Sequence, residues 1–269
     1  MDVRTIEDSS EIQDFMEVIK SAWRSESAVS GFKDTIHSMA FHGGIVLGAY
    51  DNGKLIGMSF SYPGYRDGYI YLYSHMTGVL DSKKYSGAGY MMKMKQKELA
   101  IKYGYKMIAW TFDPVMSLNG YFNIGKLGAI SRNYLDNFYG IMHDGINAGL
   151  PTDRLVAEWY IRESYNRSFD NVQFINNVNG FEMEFFHEPE ESIIGLKMIP
   201  DFFAFKSSNI QEAVKLKLLL RNKFHELFSK GYSIINFDRK NNAYIFRKNF
   251  KIKEKNIFDD YGKSQSGSD

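Results

Sequence analysis

A glycine turn caught between a strand-like and a helix-like run constrains this chain most. Lys84-Tyr85-Ser86-Gly87-Ala88-Gly89 follows the run Tyr69 to Leu80 and leads into the run Tyr90 to Tyr103. A Gly-x-Gly turn that feeds a helix leaves the first backbone N–H groups pointing outward with no intrahelical acceptor. Together with the positive end of the helix dipole they form an anion site, and glycine lets a phosphate approach the backbone closely. Two better-known phosphate loops are excluded by spacing. Gly89 is followed by Tyr90 and Met91, not by the Lys-Ser/Thr of a Walker loop. The third glycine of a dinucleotide fingerprint is replaced by Met92, and no acidic strand end follows at the required distance.

Around this turn the elements alternate. Ser9 to Trp23 reads as a helix with Ile12, Phe15, Met16 and Ile19 on one face, and 25–41 as a second helix or a cleft-shaping loop. Ile45 to Tyr50 and Leu55 to Phe60 form a hairpin around Asn52-Gly53. A further strand, Tyr105 to Phe112, ends at Asp113-Pro114. Asn119 to Lys126 reads as a helix stopped by Gly128, and Ala129 to Leu135 and Leu155 to Ile161 as strands. The polar, Gly-rich stretch 136–154 between them is long for a connection and suits a substrate lid. Later come strands Val172 to Asn177, Met183 to His187 and Phe202 to Lys206, a helix Gln211 to Lys230, and a hairpin joining Tyr232 to Phe237 with Ala243 to Lys248. The expected division is a domain over 1–165, an α/β extension over 166–250 and a flexible tail over 251–269.

This order resembles the GCN5-related N-acetyltransferase superfamily. Lys84-x-x-Gly87-x-Gly89 is similar to the family's Arg/Gln-x-x-Gly-x-Gly/Ala, with Lys in the first place. Asn119-Gly-Tyr-Phe-Asn-Ile-Gly-Lys-Leu-Gly128 is similar to its Asn…Ala-x-x-Leu-Tyr-x-Lys-Leu-Gly segment. The likeness covers 1–161, and within it 74–76, 110–114 and 150–154 look like an uncharacterised branch of acetyltransferases. It implies an α/β (α+β) fold with a mixed, splayed central sheet flanked by helices. Acetyl-CoA would be the co-substrate, with no metal. Its pantetheine arm would lie along Met76, Thr77, Gly78, Val79 and Leu80. Its pyrophosphate would sit on Tyr85, Ser86, Gly87, Ala88, Gly89 and Tyr90, with Lys84 adding a charge and Asn119 and Phe122 lining the channel.

Acetyl transfer to a primary amine needs a base, oxyanion donors and an acid for the thiolate. His75 and Asp113 are the base candidates, with Glu158 as a third, although each also reads as a structural residue. The family's acid tyrosine is replaced by Ile124, and Tyr121, one helical turn earlier, is the substitute expected. Water, Asn123 or release of the unprotonated thiolate are the alternatives. Tyr139, Asp144, Asn147, Asp153 and Arg154 on the lid are the acceptor-recognition candidates, a local Asp153–Arg154 ion pair being the plainer reading.

Composition narrows the rest. Zero cysteines exclude disulfides and cysteine nucleophiles, and the +1 charge gives no footprint for nucleic acid. No apolar run spans a bilayer and no leader pattern opens the chain, so a cytoplasmic protein without membrane or nucleic-acid partners is expected. A homodimer stays open. The expected activity is acetyl transfer to a small or amino-acid-like amine. The rivals are a non-catalytic acyl-CoA sensor or an acyltransferase using another acyl-CoA.

Overall fold

The computed structural model describes residues 1–6, 9–23, 32–80, 83–186 and 191–259. It is a mixed α/β fold with helices flanking its main sheet, as the sequence implies. Two compact units are present. One comprises 1–110, 143–148 and 160–163; the other comprises 111–142, 149–159 and 164–269.

In the first unit, β1 (Asp2–Thr5), β2 (Ile45–Asp51), β3 (Lys54–Arg66), β4 (Tyr69–Val79) and β5 (Met107–Phe112) follow one another across the sheet. β1 to β4 pair antiparallel, whereas β5 runs parallel to β4. Both hairpin turns have two central residues at positive φ, Asn52-Gly53 (49° and 78°) and Asp67-Gly68 (51° and 77°). That geometry matches the right-handed twist of the flanking strands. The second turn and the short β1 were not read from sequence. β3 is longer than expected, and Pro63 is tolerated there because β2 stops pairing at Ile45↔Ser61, leaving Pro63 on an edge.

Helix α1 (Ser9–Trp23) buries Ile12, Phe15 and Ile19, as its period requires, with Val18 beside them. Helix α2 spans Phe32–Phe41; the earlier part of 25–41 lies outside the described residues. Helix α3 (Ala88–Lys102) follows the glycine turn.

In the second unit, helix α4 (Ser117–Gly120) runs into a π-helical turn, Tyr121–Lys126, ended by Gly128 at φ 84°. The strand expected over 129–135 shrinks to β6 (Tyr134–Leu135), paired with β7 (Arg154–Tyr160). Ile130 and Ser131 instead bridge Glu158 and Ile234 in turn, and alternating partners prevent a continuous ladder. β8 (Gln173–Phe174), β9 (Asn176–Asn179) and β10 (Glu182–Phe185) replace the two strands read there; His187 lies outside the described residues. β11 (Ile193–Lys197) was not read. Phe202 to Lys206 is not a strand but part of helix α5 (Phe202–Ser208), because the Asp201 carboxylate caps it by accepting from the Ala204 N–H at 2.9 Å. Helix α6 (Ile210–Ser229) lays Leu216, Leu220, Phe224 and Leu227 against the sheet β12 (Tyr232–Asp238), β13 (Ala243–Lys248), β11, β8. Phe224 meets Tyr244 and Phe246 ring to ring. The last part of the expected tail, 260–269, lies outside the described residues.

Candidate functional site

The glycine turn has the geometry that an anion site requires. Gly87 is the N-cap of α3 at φ 94°, a left-handed conformation that only glycine adopts cheaply. No side chain caps the helix, and the first intrahelical bond is Met91 N–H to Gly87 C=O at 3.0 Å. The N–H groups of Gly87, Ala88 and Gly89 come before that bond. Gly89 serves differently: a Cβ there would stand 3.9 Å from Val79 Cγ2, so the helix start lies directly over the end of β4. The exposed Lys84 is paired with the half-buried Asp51 at 2.6 Å.

β4 is irregular in the segment before that turn. Phe60 pairs with Met76 while Ser61 pairs with Ser74, so His75 is the extra residue of a β-bulge. The inserted residue changes the parity of the strand. Ser74 and Thr77, three apart, thereby share the face toward α3, which a regular strand forbids. β5 pairs with β4 only at Leu72↔Ile108 and Tyr73↔Ala109. From Ser74 to Val79 no strand among the described residues continues that ladder. Leu80 N–H donates to Ile56 C=O at 2.8 Å, so by alternation Thr77 and Val79 turn their N–H and C=O groups to the opposite, open edge. This splay between β4 and β5 is the one the sequence resemblance implied.

His75 is half-buried among aromatic rings, with Phe60, Tyr62 and Tyr73 at centroid distances of 6.1, 5.8 and 6.1 Å. Burial lowers its pKa, which keeps the imidazole neutral at neutral pH. Met76 joins the core on that side, and Gly78 is where α1 crosses β4: a Cβ would come within 2.6 Å of the Trp23 ring.

The same vertex holds a buried cation that sequence reading missed. Lys93 on α3 is 4% exposed. Its Nζ donates to Ser74 Oγ at 2.7 Å and Gln96 Oε1 at 3.2 Å, and lies 4.1 Å from the Trp110 ring centroid. Gln96 Nε2 in turn donates to Ser74 and Ser59, and the Ser59 hydroxyl meets that of Thr77 at 2.9 Å. Burial pushes the lysine pKa down to about 7. The available signal was two polar residues, Lys93 and Gln96, on the stripe of α3 that carries Ala88, Met92, Leu99 and Ala100 inward.

The remaining candidates lie mostly in the second unit, held in internal pairs. Asp113 meets Lys217 at 2.6 Å and Arg154 at 3.6 Å, and its other oxygen accepts from the Val115 N–H. Asp153, fully buried, takes Arg221 on both oxygens at 3.1 and 2.6 Å and also accepts from Tyr134 and the Asn137 N–H. The local Asp153–Arg154 ion pair does not form. Arg154 donates to the Asp153 carbonyl and lies over Tyr139. Glu158 is buried against Arg132 in a two-point contact. Tyr139 bonds Thr111 at 3.0 Å. In the first unit, Asp144 and Asn147 bond each other.

Tyr121 and Ile124 do not share a helical face as expected. The π turn, marked by Leu127 N–H to Phe122 C=O, is wider than an α turn and rotates residues three apart away from one another. Ile124 is fully buried, whereas Tyr121 is half-buried with Arg239 5.0 Å from its ring centroid. Asn119 is exposed and Phe122 half-buried. The polar loop and Arg221 line a shallow, open pocket of about 280 Å³, with Asn137, Ile141, Met142, Leu150 and Pro151 on its walls. Among the described residues no group of three or more His, Asp or Glu could hold a metal, and no helix is long and apolar enough to cross a membrane.

No protein-family model and no curated protein matches the chain. Among solved structures it is similar to an aminoglycoside 6'-acetyltransferase type Ii at 17% identity and TM-score 0.47, covering 61% of this chain and 99% of that one. It is similar to yncA from Salmonella typhimurium, solved with its cofactor acetyl-CoA, at 14% and 0.49, covering 64% and 98%. It is also similar to a GNAT family acetyltransferase from Elizabethkingia anophelis with acetyl-CoA bound, at 17% and 0.41, covering 54% and 88%.

Proposed function

We propose that the protein is an acetyl-CoA-dependent N-acetyltransferase acting on a primary amine of a small or amino-acid-like molecule. One observation carries this reading. The open edge of β4 extends from Val79 back to the last β4–β5 pair, and Gly89 at the start of α3 stands beside Val79. The amides of Gly87, Ala88 and Gly89 suit a pyrophosphate, and the outward N–H and C=O groups of Thr77 and Val79 suit the amide-bearing pantetheine arm. From Val79 to Ser74 the edge is about 16 Å long by strand rise, the length scale of such an extended arm. Acetyl-CoA supplies an activated acyl group on a thioester, and the residues of this chain bind it, orient it and manage protons. We assign Met76 and Gly78 to the wall behind the arm, and the helix start at Tyr85, Ser86 and Tyr90 to the phosphate rim. The protein works as a cytoplasmic enzyme without a metal in this reading, and its acceptor is a small or amino-acid-like amine.

Gly89→Ala tests the assignment without confounding stability. Its φ is ordinary, its new methyl meets only Val79 at 3.9 Å, and alanine favours a helix. The variant should fold at least as stably as the parent and bind CoA about tenfold or more weakly in calorimetric titration, about 1.4 kcal/mol. Unchanged CoA affinity would place the phosphates elsewhere and end the proposal. Thiol release from acetyl-CoA across an amine library separates an enzyme from a sensor.

A further inference from the structure

The cluster around Lys93 is unused by the function proposed so far, yet it stands where the open edge ends. Tyr73↔Ala109 is the last β4–β5 pair, and the next residue on each strand, Ser74 and Trp110, contacts the Lys93 ammonium. Resting on the donor site above, we propose that Lys93 is the acid that protonates the departing thiolate, through the hydroxyl of Ser74.

An arm entering at the phosphate end and following the edge from Val79 brings its terminal sulfur to this vertex. Among the described residues, those that contact Lys93 carry no opposite charge. β4 presents Ser74, β5 presents Trp110 and α3 presents Gln96, with Ser59 of β3 and Thr77 one hydrogen bond further out. His75 turns to the other face, among Phe60, Tyr62 and Tyr73. No carboxylate among the described residues forms an ion pair with Lys93, and burial alone lowers its pKa to about 7. A cation buried without a counter-ion is costly, and negative charge developing beside it is stabilised strongly. An acid is also most effective when its pKa lies near the working pH. Ser74 Oγ accepts from both Lys93 and Gln96. A hydroxyl with both lone pairs occupied has only its proton left to give.

The step balances. The amine nitrogen forms a bond to the acyl carbon, the carbon–sulfur bond breaks with its electron pair on sulfur, and the nitrogen releases one proton. Lys93 passes a proton to Ser74 as Ser74 passes its own to sulfur. The neutral lysine then recovers the proton lost by the acceptor. This supplies the function of the tyrosine that Ile124 replaces.

The test uses CoA itself and needs no acceptor. The thiol of CoA bound to the full chain is titrated through the ultraviolet absorbance of its thiolate, from neutral to alkaline pH. A thiolate formed beside Lys93 supplies the counter-ion the lysine lacks and lets it hold its proton, so the two titrate as a coupled pair and the bound thiol should ionise about one unit or more below free CoA. Lys93→Met should abolish that shift while leaving the affinity for desulfo-CoA unchanged. If bound CoA titrates like free CoA in the parent protein, the role of Lys93 is refuted and the donor site stands; this reading requires no variant to fold. If neither CoA nor desulfo-CoA binds, the donor site itself is refuted. A shift that persists in Lys93→Met assigns the effect to another group and overturns the inference.

Discussion

Replacing Lys93 by methionine should change how stability depends on pH, by an amount the structure allows to be worked out. In the unfolded chain the lysine titrates near its ordinary 10.5, whereas in the fold burial brings it down to about 7. Between these values the unfolded state binds the proton and the native state does not, so stability from this group rises with pH across the window. It is lowest at and below about pH 7, and the limiting slope is about 1.4 kcal/mol per pH unit. From pH 7 to 9 the parent should gain about 2 kcal/mol relative to Lys93→Met, after allowing for half-protonation at the lower end. All other groups cancel in the difference. At pH 7 the methionine variant, which buries a similar volume without charge, should be the more stable of the two. Urea unfolding of both proteins at pH 7, 8 and 9, followed by tryptophan fluorescence, supplies the comparison. A difference that stays flat would mean that the hydrogen bonds to Ser74 and Gln96 and the Trp110 face hold Lys93 charged throughout. That result would refute the reasoning from burial.

Four other outcomes are expected. Gly87→Ala should cost about 1–2 kcal/mol in thermal unfolding, entirely from φ 94°, because the added Cβ meets nothing within 4 Å. Gly78→Ala should cost about 1–3 kcal/mol by forcing the Trp23 ring off β4, which differential scanning fluorimetry would register. Arg221→Ala strips a fully buried Asp153 of its counter-ion and should destabilise by about 3 kcal/mol in denaturant titration, with Asp153→Asn recovering part of the loss in the Ala background. Tyr121→Phe should leave thiol release from acetyl-CoA unchanged, since its ring packs against Arg239 and Lys93 carries the acid role; a loss of turnover would restore the tyrosine to the mechanism.

Local rules made the first unit readable. Asn52-Gly53 fixed one hairpin, the apolar stripe of Ser9 to Trp23 fixed α1, and Gly87-x-Gly89 fixed the start of α3. What escaped depended on partners distant in sequence. Phe202 to Lys206 has a strand-like aromatic pattern, and only the Asp201 cap and its packing against α6 make it helical. The π turn at 121–126 is invisible to a search for 3.6 periodicity, which is why Tyr121 was placed over Ile124. Of the candidate site, the glycine turn and the open edge of β4 were legible because backbone geometry follows from glycine and strand positions. The partners of the buried ionisable side chains were not. Asp113 seemed available until Lys217 arrived from α6, and Lys93 was not singled out because its burial depends on Ser74 and Trp110, which lie on other elements.

The two tight hairpins of β2, β3 and β4 have a consequence for how the chain folds. Their contacts join residues close in sequence, so they close small loops and form early, whereas β5 reaches β4 only after α3 has been traversed. The open edge of β4 is thus a seam between early and late structure. Such seams open at lower free energy than the core, and amide exchange should be fastest along it. CoA laid across that seam would slow exchange in β4 and at the start of α3 together, tying ligand occupancy to the order in which the molecule assembles.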